Sequence, residues 1–64
     1  MSKIVGVYEG IAKDMETIIR LKPWIIDEIT TELGKIDVEV AECRFKWSYD
    51  PKIEHFRYSV DAIA

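Results

Sequence analysis

Ala41-Glu42-Cys43-Arg44-Phe45-Lys46-Trp47-Ser48-Tyr49, then Asp50-Pro51-Lys52, then Ile53-Glu54-His55-Phe56-Arg57-Tyr58-Ser59-Val60-Asp61-Ala62-Ile63, is the stretch whose reading decides the fold. Cys43, Phe45, Trp47 and Tyr49 alternate with Arg44, Lys46 and Ser48. Past the break, Phe56, Tyr58, Val60 and Ala62 alternate with His55, Arg57, Ser59 and Asp61. Period two over two runs is the pattern of strands with one apolar face, and Asp-Pro-Lys between them is turn chemistry. The runs form one long hairpin, Ile36 to Tyr49 pairing back onto Ile53 to Ile63. Upstream, Ile36, Val38 and Val40 alternate in the opposite phase, which period two does not absorb, so a β-bulge is expected near Val40–Glu42.

Two registers close this hairpin. A tight turn centred on Pro51-Lys52 pairs Trp47 with Phe56, and it also sets Lys46 against Arg57 and Glu42 against Asp61. A longer loop, Pro51 to Glu54, pairs Trp47 with Tyr58 and Arg44 with Asp61. Like charges directly opposite are destabilising, so the longer loop is favoured.

Working outward towards the N-terminus, Met15, Ile18, Ile19, Ile25, Ile26, Ile29 and Leu33 recur at helical spacing, with Asp27, Glu28, Thr31 and Glu32 mainly on the other side. Asp14 suits the N-cap, Glu16 the first turn, and Gly34 the C′ position that closes a helix. Pro23 falls inside the stripe. It either kinks one helix or starts a second, and the stripe resuming in phase favours one kinked helix. Before it, Lys3 to Tyr8 reads as a short strand ended by a turn at Gly10.

The expected fold is therefore α+β, a β-α-β-β single domain spanning residues 1–64. A right-handed crossover makes the first two strands parallel, the hairpin makes the third antiparallel to the second, and the simplest sheet puts the third strand in the centre. One sheet face packs on the kinked helix. The other face and both edges stay open, a condition that calls for protection.

Sixty-four residues bury a small core, and such chains usually need a staple. Cys43 is the only cysteine and His55 the only histidine, so neither an internal disulfide nor a four-ligand zinc site is available. That leaves a well-packed monomer or self-association, of which self-association is favoured. The chain is 48% hydrophobic and 33% charged with a net charge of −3, the balance of a folded protein with little affinity for phosphate backbones. No apolar run spans a membrane, and Met1-Ser2-Lys3-Ile4-Val5-Gly6 lacks a signal-peptide pattern. A cytoplasmic, reducing environment is the expectation.

Candidate chemistry is sparse. His55 near Asp50 could form half of an acid–base device, but Ser48 and Ser59 carry no mark of activation, so a solvated or interface histidine is expected. Cys43 lies in the apolar alternation and is read as packing. Asp37, Glu39, Glu42 and Asp61 gather towards one end of the hairpin, where a hard cation could bind, although strands spread oxygens apart and a solvated or ion-paired face is the simpler reading. Arg44, Lys46, Lys52, His55 and Arg57 gather at the other end. Aromatics interleave with them, but on the opposite side of the sheet, which argues against a single-strand nucleic-acid platform and for an anionic small ligand or a neighbouring subunit. Trp47 is left exposed if the helix does not reach it. There is no phosphate loop, paired-cysteine motif or metal-ligating histidine spacing, and the chain is read as non-enzymatic.

Several stretches together resemble the dodecin family of small flavin-binding proteins. Lys3–Tyr8 runs into Gly10, and a helical segment follows. Val38-Glu39-Val40-Ala41-Glu42-Cys43-Arg44 is similar to the family's second strand, Asp50-Pro51-Lys52-Ile53 to its Asp-Gly-Lys-Val turn, and Phe56-Arg57-Tyr58-Ser59-Val60 to its third strand. The resemblance spans nearly the whole chain. It implies a hollow homododecamer with a curved sheet around the helix, and FMN or riboflavin bound between subunits. Asp37 stands where the family has its flavin-stacking tryptophan, Arg57 where a glutamine meets the flavin ring, and Pro23 departs from its helix pattern. Asp37, Arg44, Lys46 and Arg57 are the expected ligand-binding residues of a homo-oligomer that stores or sequesters a small ligand. The alternative is a protein-interaction module or inhibitor acting through an edge strand or the basic face.

Overall fold

The computed structural model describes residues 3–64, so Met1 and Ser2 of the N-terminal stretch discussed above lie outside the described residues. The order is β1 (Ile4–Ala12), α1 (Met15–Gly34), β2 (Glu42–Asp50) and β3 (His55–Ile63). The three strands form one sheet in the order β1-β3-β2, with β3 central and antiparallel to both neighbours. This is the α+β, β-α-β-β architecture expected, with the third strand in the middle.

Asp14 starts α1 as anticipated. Its backbone is extended, and its carboxylate accepts from the Thr17 amide at 2.8 Å and the Thr17 hydroxyl at 2.7 Å. The helix is one segment with Pro23 inside it, not two helices. Pro23 is exposed, so the Ile19 carbonyl that loses its intrahelical donor lies on the solvent side. Ile18, Ile25 and Ile29 make the buried stripe; Ile19 and Ile26, which share the sequence periodicity, lie on the flank and are exposed.

The C-terminus of α1 departs from expectation. Gly34 ends the helix but has no positive φ; the left-handed residue is Asp37, at φ 60°. The amides of Ile36 and Val38 both donate to the Leu33 carbonyl, so residues 36–38 are held in the helix's closing turn and do not join the hairpin. The second strand consequently begins at Glu42, not Ile36. The phase change survives as a junction: the Ala41 amide donates to the Ile63 carbonyl at 2.7 Å while Glu42 also faces Ile63. Two residues therefore meet one, just before the regular ladder begins.

The first strand is longer than expected and runs straight through Gly10 to Ala12. Gly10 is not a turn. The Tyr58 ring lies across it, and a Cβ there would overlap the ring, so any other residue at this strand position must displace the ring. A register shift between Ile4 and Gly6 bulges β1 near its start.

The hairpin takes the longer loop, with Trp47 opposite Tyr58 and Arg44 opposite Asp61. Asp50 organises the turn: one carboxylate oxygen accepts from the Lys52 amide at 2.9 Å, and Glu54 closes the loop at φ 54°.

The core is Ala12, Ile18, Ile25, Ile29, Tyr58, Val60 and Ala62. It sits where α1 crosses β1 and β3, and the helix scarcely reaches β2. The Cα radius of gyration is 12.6 Å, against about 10.7 Å for a compact globule of this length.

Candidate functional site

The side chains of β2 and β3 that alternate with the core residues project from the face that α1 leaves open. Register sets them in rows. Val7, Asp61 and Arg44 lie across the sheet from one another; so do Glu9, Ser59 and Lys46, then Ile11, Arg57 and Ser48. Arg44, Lys46 and Arg57 therefore share one face, as expected. Asp37 does not join them in the sheet; it lies in the turn after α1.

Between the second and third rows runs an open groove of about 470 Å³. The backbones of Gly10, Tyr58 and Trp47 form its floor, and Glu9, Lys46, Ser48, Arg57 and Ser59 surround it. Glu9 was not among the sequence candidates, and Ser48 and Ser59 were weighed there only as unactivated nucleophiles beside His55. The signal for Ser59 was its alternation with Arg57 and Asp61; Glu9 required the β1–β3 register, which no hairpin logic supplies.

The expected separation of an acidic from a basic end is corrected by the ion pairs. Arg57 Nε donates to Asp50 Oδ2 at 2.8 Å, Lys46 Nζ lies 3.4 Å from Asp61 Oδ2, and Arg44 donates to Glu42 at 3.1 Å. Adjacent positions along a strand face and across neighbouring strands are within reach of long side chains, so the two charge sets interleave. The Arg57 guanidinium, with the Lys52 amide, holds the Asp50 carboxyl below its usual range. Lys46 and Arg57 remain more than half exposed, at 71% and 56% of their side-chain surface, and can still meet a ligand.

The His55–Asp50 device does not form. Asp50 gives one oxygen to Arg57 and the other to the Lys52 amide, and His55 Nδ1 lies 2.7 Å from the Ile53 carbonyl, which it meets as a donor. Burial pushes the half-buried Cys43 thiol upward, away from the reactive thiolate. Among the described residues no cluster of three His, Cys, Asp or Glu side chains could hold a metal ion, and no helix is long and apolar enough to cross a membrane.

On the other face Tyr8 and Tyr58 stack at 6.4 Å. Burial raises the Tyr58 hydroxyl above its usual range, with Tyr8 adding to the effect. Lys22 stands 5.0 Å above the Phe45 ring, one of the few points where α1 addresses β2. Beyond it Trp47 and Tyr49 are 52% and 51% exposed. The aromatics and the cations thus occupy opposite sides of the hairpin. Comparison with protein-family models, curated proteins and solved structures finds no match for this chain.

Proposed function

We propose that this protein is a non-enzymatic, dodecin-like homo-oligomer that holds a small anionic ligand in the groove on its open sheet face. The observation that carries the reading is the convergence of Lys46, Arg57, Ser48 and Ser59 around one floor of bare backbone. Two exposed cations on adjacent strands, each with a hydroxyl opposite it, suit a phosphate or carboxylate, which Glu9 on the β1 side opposes. Ion pairs to Asp50 and Asp61 preorganise the cations, and a ligand competes with those carboxylates, so modest affinity is expected. Self-association is supported by the expanded radius of gyration and by the exposed aromatics of β2.

FMN and riboflavin test the flavin version directly. The expected result is quenching of FMN fluorescence on titration, weaker quenching of riboflavin, which lacks the phosphate, and at least a tenfold loss of FMN affinity in Lys46→Ala and Arg57→Ala. Absence of quenching by either flavin removes the flavin; absence of chemical-shift changes in the groove residues with inorganic phosphate removes the anion site altogether.

A second reading has its own observation. Val7 and Ile11 project from the open face of edge strand β1 at 60% and 56% exposure. An interaction module would bind a partner protein along that edge. Light scattering separates the two: a monomer of 7.5 kDa favours the module, and a multiple of that mass favours the oligomer.

A further inference from the structure

Of the two edges of this sheet, β1 is the less regular. It is bulged between Ile4 and Gly6 and interrupted by Gly6 and Gly10. The β2 edge has neither. It runs regularly from Glu42 to Asp50 without glycine or proline, and its apolar face is only half covered.

A symmetric pair of β2 edges is antiparallel about a twofold axis, and each possible centre fixes which charges meet. Centring on Arg44 or Lys46 sets that cation against its own counterpart. Centring on Phe45 opposes Arg44 to Lys46, while centring on Ser48 or Tyr49 pairs only residues 46–50 or 48–50 of β2. Centring on Asp50 sets two carboxylates together. Trp47 is the centre that opposes no like charges over the longest stretch of β2, residues 44–50. It sets Arg44 against Asp50 twice, with Lys46 against Ser48. On the apolar face the same register places Trp47 on its counterpart and Phe45 on Tyr49, which brings together the exposed aromatics. Asp50 already accepts from Arg57 and the Lys52 amide, yet a carboxylate has about four acceptor sites, enough to take a further guanidinium.

We propose that two copies of this chain pair antiparallel through their β2 edges, centred on Trp47, to make one continuous six-stranded sheet. The occupant is a second copy because the edge is complementary to itself. The surface supports it too: the chain exposes 4832 Å², roughly 600 Å² more than the about 4,250 Å² of a monomer of this mass, and a standard interface covers about 800 Å² per partner. The inference rests on the self-association part of the reading above and needs no ligand. It leaves the open face free, with the two grooves side by side across the axis.

The test is site-specific cross-linking joined to a mass measurement. With Cys43→Ser as background, Trp47→Cys puts thiols on opposed positions whose Cα atoms are about 4.5–5.5 Å apart, within disulfide reach. Mild oxidation should give covalent dimer in high yield. Ser48→Cys in the same background should not, because in this register Ser48 faces Lys46. Arg44→Glu, on an exposed residue of this register, should weaken the dimer about tenfold, with circular dichroism confirming the fold of every variant. A monomer at high micromolar concentration overturns both the pairing and the self-association. An oligomer in which Trp47→Cys fails to cross-link, or Ser48→Cys cross-links instead, overturns the pairing alone.

Discussion

The apolar face of the sheet has two halves that look alike in sequence and fare differently in the fold. Tyr58, Val60 and Ala62 of β3 are buried beneath α1, whereas Trp47 and Tyr49, in the same alternation on β2 and directly opposite Tyr58 and Phe56, are half in solvent. Period-two patterning states which way a side chain points. What lies above it is decided by where a helix of given length and crossing can rest, and here one helix spans two strands of three. The uncovered half is left as an exposed apolar strand face.

The largest effect should separate the halves outright. Ile25 is fully buried where α1 meets the sheet, and Ile25→Ala should cost about 2–5 kcal/mol. A chain this small has about 3–5 kcal/mol in all, so the variant should be largely unfolded by far-ultraviolet circular dichroism at 25 °C. Trp47→Ala, which removes a larger side chain from the uncovered half, should shift the urea midpoint of the dilute monomer little. Equal losses in the two variants would erase the distinction between the halves.

Gly10→Ala comes next. The new methyl meets the Tyr58 ring in the covered half, and overpacking of this kind costs about 1–3 kcal/mol. Tyr58→Leu removes the obstruction, so the double variant should be more stable than the sum of the single losses requires. Additive losses in urea titrations would mean that the ring does not press on Gly10. Gly6, by contrast, has its nearest neighbour at an ordinary 3.4 Å from a built Cβ, the flexible end of Leu33, and Gly6→Ala should be tolerated.

The hairpin was legible because its evidence is local. Alternation named the strands, and the cost of opposing Lys46 to Arg57 selected the register that the structure adopts. The start of β2 at Glu42 was not legible, since Ile36 and Val38 carry strand residue types and are held instead by the Leu33 carbonyl. Gly10 misled for a related reason: a glycine that ends a strand and one that yields to a neighbouring ring are the same letter until the partner strand is in place. At the site, Arg44, Lys46 and Arg57 were assigned to the correct face, but their carboxylate partners depend on rotamers and cross-strand reach. Asp37 entered through family resemblance and stands in a turn outside the sheet.

The smallest effect is on acid stability, and it probes both halves through their terminal carboxylates. Asp14 caps the helix that covers β1 and β3; Asp50 ties the tip of the hairpin to Arg57. The Thr17 hydroxyl and amide lower the Asp14 pKa, and Arg57 with the Lys52 amide lowers that of Asp50. A carboxyl whose folded pKa lies below its unfolded value contributes stability that is fully present above the unfolded value and is lost as pH falls through the folded one. Both contributions are thus intact at neutral pH and fade below about pH 4. Asn keeps the capping geometry but does not titrate. Asp14→Asn should therefore preserve helix content and flatten the acid limb of the stability curve. Asp50→Asn should do the same while losing the charge on Arg57's partner, so its midpoint at neutral pH should fall and become less sensitive to salt. Urea titrations from about pH 2 to 6 measure both. An acid limb as steep in the double variant as in the wild type would place the acid response on other carboxylates, and would leave the two halves of the sheet distinguished by packing alone.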